Sequence, residues 1–284
     1  MIERQKVLLA VLAHPDDESF GTGGTLAYYA KQGVKVYLIC ATRGEVGDVD
    51  PSFLEGFQSI AERRESELRC AAGILGLSGV IFLDYRDSGM PGSPDNQHPQ
   101  ALAAAQLVEV AAKIAHQMRL LQPQVIVTFD PIGGYKHPDH IAIQRATVEA
   151  FHLAGKVDFS NDLAPYQPQK LYFHVFPKGF LRLAVRALKL FGRDPHHFGR
   201  NGDIDIQALA EEGNFPVHAR IDIRSVRKEK EAAGACHASQ GNGMPQRGVM
   251  SWLMKWFDRQ EQFMRAVPEG ENGLKEKDLF EGVN

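Results

Sequence analysis

An α/β fold with a mostly parallel sheet and a C-terminal α+β extension is predicted by three observations. Short apolar runs alternate with amphipathic segments of helical length along the first half of the chain. Gly-rich or polar loops separate them. Every loop that carries unusual chemistry follows a strand-like run, which is where parallel sheets place their ligands.

Val7-Leu8-Leu9-Ala10-Val11-Leu12 is apolar throughout, as a strand covered on both faces must be. It runs into Ala13-His14-Pro15-Asp16-Asp17-Glu18. A helix is expected from Gly21 to a Gly stop at Gly33, then a β-branched strand from Val34 to Ala41 and the loop Thr42-Arg43-Gly44-Glu45-Val46-Gly47. A long helix follows over Phe57 to Leu75, a strand over Gly79 to Tyr85 and the loop Arg86-Asp87-Ser88-Gly89-Met90-Pro91-Gly92. An Ala-rich helix spans Ala101 to Leu121, and the fourth strand is Val125-Ile126-Val127-Thr128-Phe129. It leads to Lys136-His137-Pro138-Asp139-His140 and a helix from Asp139 to Ala154. Beyond residue 155 the alternation loosens. Strands are expected at Gln169–Phe176 and Val217–Ile223, a helix at Ser225–Ala238, and a last helix at Trp252–Val267 carrying an aromatic stripe of Trp252, Trp256 and Phe263 beside Leu253, Phe257 and Met264. The organisation expected is a core over 1–155 with both His-rich motifs, an extension over 156–267 completing the same domain with an insertion at about 178–200, and a poorly ordered polar tail over 268–284.

The 284 residues are ample for one large core. A net charge of −3 gives no field that favours nucleic acid. No run has the length of a membrane span, and Met1 to Lys6 leads into the first strand without the pattern of a signal peptide. Cys40, Cys70 and Cys236 lack zinc-type spacing, so three reduced thiols and a cytoplasmic location are expected.

The two motifs carry the chemistry. Charges gather at the end of a buried strand only with a partner, and a divalent metal is the natural one. Two His and one Asp, with a fourth position open to water, make a catalytic zinc site. His14 and Asp17 are close enough to aim at one point, and the second motif offers His137 or His140 as the third donor. Asp16, between the first two, is placed to take a proton from a water held there. A dinucleotide fingerprint at Gly21-Thr22-Gly23-Gly24 is the weaker reading: Leu26 stands where the third Gly belongs, and the carboxylates ahead of the helix would repel a pyrophosphate. Those glycines are expected to let the helix approach the sheet.

These motifs resemble the LmbE-like or PIG-L superfamily of zinc-dependent N-acetylglucosamine deacetylases. The likeness extends to Thr42-Arg43-Gly44-Glu45, to Arg64-Glu65-Ser66-Glu67 with Leu75-Gly76, and to the late His237-Ala238-Ser239-Gln240. Tyr85-Arg86-Asp87-Ser88-Gly89-Met90 is similar to the mycothiol-related branch, which contains a deacetylase and an S-conjugate amidase. The resemblance implies a Rossmann-like three-layer sandwich and one zinc ion per chain, held by His14, Asp17 and His140. It implies Asp16 as general base, His137 as a cationic group that stabilises the oxyanion, Asp139 as an orienting carboxylate, and Arg64 and Asp87 as contacts to the sugar conjugate. The reaction implied is removal of an N-acetyl group to give an amine and acetate. Cleavage of a thiol S-conjugate amide is an alternative, and a metal-dependent sugar-binding module without turnover is another of a different class.

Over 178–193, Lys178, Arg182, Arg186, Lys189 and Arg193 share one helical face opposite Phe180, Leu181, Val185, Leu188 and Phe191. The expectation is a solvated face on a packed insertion helix; a substrate lid and a membrane-surface helix are the alternatives. His196 and His197 are expected to be a surface pair at a turn. A small-molecule sugar conjugate is the expected partner, nucleic acid is not, and a homo-oligomer remains open.

Overall fold

The computed structural model describes residues 4–159, 162–175, 178–190, 192–197, 205–212, 214–240, 259–271 and 273–284. In chain order the elements are β1 (Val7–Leu12), α1 (Asp17–Phe20), α2 (Gly23–Lys31), β2 (Lys35–Cys40), α3 (Ile60–Leu75), β3 (Gly79–Phe82), α4 (Leu107–Leu121), β4 (Val125–Phe129), the single turn α5 (Gly133–Lys136), α6 (Pro138–Ala154), β5 (Lys170–Val175), α7 (Lys178–Leu190), α8 (Ile206–Glu211), β6 (Ala219–Asp222), α9 (Arg227–Cys236) and β7 (Gln260–Val267).

The strands form one sheet in the order β3-β2-β1-β4-β5-β7-β6. The first five are parallel, and β7 runs antiparallel to both β5 and β6. Helices cover both faces, as an all-apolar strand such as β1 requires. The chain steps outward from β1 to β2 and β3, then crosses back to β4 on the other side of β1. The order therefore reverses between β1 and β4, and a crevice opens beyond their carboxyl ends. Both His-rich motifs lie at that crevice.

Local signals explain the helix limits. Ser59 caps α3 by accepting from the Glu62 backbone N–H at 3.1 Å, and Gly76 ends it in the left-handed conformation. Gly24 lies so close to Ile223 that a Cβ there would come within 2.6 Å of it, so the glycines do admit a close approach of α2. Among the described residues no helix is long and apolar enough to cross a membrane.

Three expectations are corrected. The segment 260–267 is a strand, not the end of a helix. Its inward side chains, Glu261 and Phe263, alternate with exposed or half-buried ones, whereas the Trp and Phe spacing suggested a helical stripe. Trp252, Leu253, Trp256 and Phe257 fall outside the described residues. The tail is not loose. Glu276, Leu279 and Phe280 are buried, the Leu279 N–H donates to the Tyr29 hydroxyl at 2.6 Å, and the Glu276 N–H donates to the His218 carbonyl at 2.8 Å. Finally, only Cys40 is a free thiol. Cys70 and Cys236 form a disulfide, because α9 packs along α3 and brings their Cα atoms to 5.9 Å.

In α7 the predicted helix forms, with Arg182, Leu183 and Leu190 exposed. His196 and His197 lie at the surface, each 2.9 Å from a carboxylate, of Asp205 and Asp194 respectively.

Candidate metal centre and active site

The end of β1 delivers His14, and the next residues turn at once into α1. Asp17 opens that helix, and its carboxylate accepts the His14 backbone N–H at 2.7 Å, which fixes its direction. After β4, Asp130 accepts from the backbone of Ile132 and Gly134 and shapes the turn into α6. His137 caps α6: its Nδ1 accepts the Asp139 N–H at 3.2 Å. His140 lies in the first turn of that helix, its ring stacked on Phe129 at 3.9 Å between centroids.

These strand ends meet in a compact cluster. His14 Nδ1 lies 3.2 Å from His140 Nε2, with Asp17 Oδ2 3.5 Å from the first and Asp17 Oδ1 3.2 Å from the second. The other nitrogen of each ring is already engaged. His14 Nε2 faces Asp139 Oδ2 at 3.1 Å, and His140 Nδ1 faces the Gly133 carbonyl at 3.2 Å. Each partner is an acceptor, so each of those nitrogens donates, and with both rings neutral, as metal binding requires, His14 Nδ1 and His140 Nε2 present lone pairs beside a carboxylate. Two lone pairs and an anion at that separation call for a cation between them. A tetrahedral ion with zinc-like bond lengths separates its donors by about 3.3 Å, which matches all three separations. The residues present therefore fit a zinc ion. A donor atom of His137 also lies within 4.8 Å of those of His14 and His140.

A second layer holds His14. Asp139 is fully buried and accepts from the Ser88 backbone N–H at 2.9 Å and from the Ser88 hydroxyl. Asp87 Oδ1 lies 3.6 Å from His14 Nε2 and accepts the Gly89 N–H at 2.8 Å. Asp87, expected to meet sugar hydroxyls, lies at the same depth as His14, 4% exposed against 6%. Arg64, equally buried, turns inward as well. Its guanidinium donates to Asp16 Oδ2 at 3.1 Å, to the Pro15 carbonyl at 2.7 Å and to the Gly44 carbonyl at 3.1 Å. Gly44 makes room for it, since a Cβ at that position would come within 2.0 Å of the guanidinium.

Asp16 has φ 123° and ψ −27°, a conformation that costs a non-Gly residue of order 1–3 kcal/mol. Burial raises its carboxyl to about 6 against the opposing pull of Arg64. Burial would raise Asp17 too, but His140 and His14 outweigh it and hold Asp17 well below the usual carboxylate range. Burial, then the charges on the neighbouring rings of His14 and His140, push His137 down to about 2, which favours its uncharged form. With Nδ1 accepting, its proton sits on Nε2.

Ser88, Glu18 and His237 also belong to this site, although motif spacing gave them no role. Ser88 stands in a loop singled out by its place after a strand, but its pairing with Asp139 spans 51 residues. Glu18 and His237 pair across 219 residues, a separation no local pattern reveals.

The family model described as GlcNAc-PI de-N-acetylase, or PIG-L, matches residues 9–151. A 1D-myo-inositol 2-acetamido-2-deoxy-alpha-D-glucopyranoside deacetylase of Acidothermus cellulolyticus is 36% identical over 298 residues, covering 98% of this chain and 95% of that one. A deacetylase of the same name from Kineococcus radiotolerans is 43% identical over 210 residues, 68% of this chain and 58% of the relative. The structure of N,N'-diacetylchitobiose deacetylase from Pyrococcus horikoshii superposes with a TM-score of 0.60 at 21% identity, over 92% of this chain and 84% of that one, a likeness of fold.

Proposed function

The chain belongs to the PIG-L family, and from that premise we propose that it is a zinc-dependent hydrolase that removes the N-acetyl group of an N-acetylglucosamine conjugate, releasing acetate and the free amine. One observation carries the reading: two histidine lone pairs and a carboxylate converge within 3.5 Å of one another beside Asp16. The names of the relatives support a glucosaminyl-inositol as the conjugate.

His14, Asp17 and His140 would hold the ion, which when bound supplies Lewis acidity to an amide carbonyl and makes a water more acidic. Asp16 accepts the proton of the attacking water and returns it to the departing nitrogen as the C–N bond breaks, so that acetate and the amine separate; its raised pKa suits both tasks near neutral pH. His137 Nε2–H, with the ring uncharged, donates a hydrogen bond to the oxygen on which negative charge develops. Asp139 and Asp87 set the His14 ring through Nε2, and Arg64 aims the Asp16 carboxylate.

The test is metal content measured together with acetate release from glucosaminyl-inositol, chitobiose-type and glucosaminyl-malate N-acetyl conjugates, on native protein and on chelated protein with zinc restored. The expected result is close to one zinc per chain, acetate release that disappears on chelation and returns with zinc, and the inositol conjugate turned over fastest. Protein that takes up no zinc and gains no activity from it would overturn the assignment.

A further inference from the structure

Glu18 and His237 lie outside the donor set, yet both are fully buried. Glu18 folds back over the turn, and its Oε2 accepts the Asp16 backbone N–H at 2.9 Å. Its Oε1 faces His237 Nε2 at 2.7 Å. His237 directly follows α9, and its ring packs near Phe20 at the end of α1, 5.9 Å between centroids.

The peptide held by this pair is the one at φ 123°. A side chain in that region persists only where its surroundings impose it. Two devices do so here. Arg64 of α3 grips the Asp16 carboxylate, and Glu18, backed by His237, grips its backbone. Both start from one rigid unit. Ser239, two residues past His237, donates through its backbone N–H and hydroxyl to Glu67 of α3 at 2.8 and 2.7 Å, and Glu67 also accepts from Arg63 at 3.0 Å. The C-terminal segment thus reaches the strained turn through a buried Glu18–His237 hydrogen bond at 2.7 Å.

We propose that Glu18 and His237 are positioning residues that act through Asp16, holding its strained peptide so that the carboxylate keeps its line to the attacking water. The proposal rests on the reading of Asp16 as the base. A buried pair that only supports packing would lower stability without a specific loss of turnover. Misplacing a reacting group by about 1 Å costs up to ~10²-fold in rate, so a defect in aim is measurable in folded protein.

The experiment uses the zinc-loaded full chain and the variants His237→Ala, Glu18→Gln and Asp16→Asn, with each of the first two also combined with the third. The unfolding midpoint of each variant is measured, and turnover, KM and zinc per chain are read at temperatures below it. The expected result for His237→Ala and Glu18→Gln is a drop in kcat of about 10- to 100-fold, with KM and zinc content within about twofold of wild type. In the Asp16→Asn background each should cost less than about twofold more, because residues that act through one group are not additive. If His237→Ala does not fold, Glu18→Gln decides alone. The same loss in both backgrounds, a loss of zinc in step with activity, or wild-type kcat in folded His237→Ala would overturn the proposal while leaving the base assignment intact. Near-normal turnover by zinc-loaded Asp16→Asn would overturn the base assignment, and this proposal with it.

Discussion

Two parts of the sheet are built differently. On the β1-β4 side, both strands are buried along their whole length in apolar residues and Thr128, and the ionisable groups collect beyond their ends, in the His/Asp cluster. On the β5-β7-β6 side, where β7 runs antiparallel to both neighbours, the strands carry ionisable groups within their length. Lys170, Arg265 and the Tyr172 hydroxyl converge on Glu276, each at 2.7 Å. Glu261 accepts the backbone N–H groups of Gly24 and Thr25 and pairs with Lys230 at 2.9 Å. His174 lies beside the Glu261 and Lys230 charges. The first side concentrates polarity where chemistry is done; the second uses it as internal cross-bracing that ties the C-terminal segment to the first helices. Substitutions on the two sides should therefore fail in different ways.

The largest effect is expected at Asp16. Asp16→Asn should lose about 10²–10⁴-fold in kcat while keeping zinc and an unfolding midpoint near that of wild type, as read by steady-state acetate release and calorimetry. A variant that lost stability in proportion to activity would erase the distinction between the two sides. Next is the brace. Glu276→Ala leaves Lys170 buried without its carboxylate, a change that costs about 3–5 kcal/mol in stability. Urea unfolding should show that loss, while kcat of the folded fraction stays within about twofold of wild type. A drop in kcat at unchanged stability would mean that the brace reaches the chemistry.

The smallest of the three is a pH effect. Burial, helped by Lys230 and opposed by Glu261, pushes His174 down to about 4. The unfolded chain takes up that proton near 6.5, so below 6.5 the unfolded state binds more protons than the folded one. Stability from this group is complete above about pH 6.5 and declines towards pH 4, by about 3 kcal/mol in all. Unfolding free energy measured across that range should fall less steeply in His174→Leu than in wild type, and equal slopes would remove His174 as the cause.

The same contrast sets what was legible in the sequence. Val7–Leu12 and Val125–Phe129 announce themselves as strands because burial on both faces leaves only apolar residues. His14, Asp17, His137 and His140 follow directly, so both motifs could be placed at neighbouring strand ends, and the structure brings them together. The partners of those residues were hidden. Ser88 with Asp139, Arg64 with Asp16 and Glu18 with His237 are pairings across the fold, and no periodicity encodes them. The lowered pKa of His137 likewise comes from its burial and the neighbouring His14 and His140 rings. The C-terminal part was misjudged for a related reason. Glu261 and Glu276 are polar on paper, yet partners from distant segments make their burial tolerable. A strand with an inward glutamate and a tail with few apolar residues do not look like core from composition.

The Cys70–Cys236 bond makes the backbone a lasso. With a sequence separation of 166, it closes a covalent ring that contains the second His-rich motif and leaves the first outside, on the N-terminal arm. The donors of the cluster thus come from a free arm and a closed loop, and only the fold unites them. A single nick in an exposed loop of the ring would release no fragment on unfolding until the bond is reduced, whereas a cut at 48–58 would leave His14 and Asp17 on a fragment held to His140 by non-covalent contacts alone.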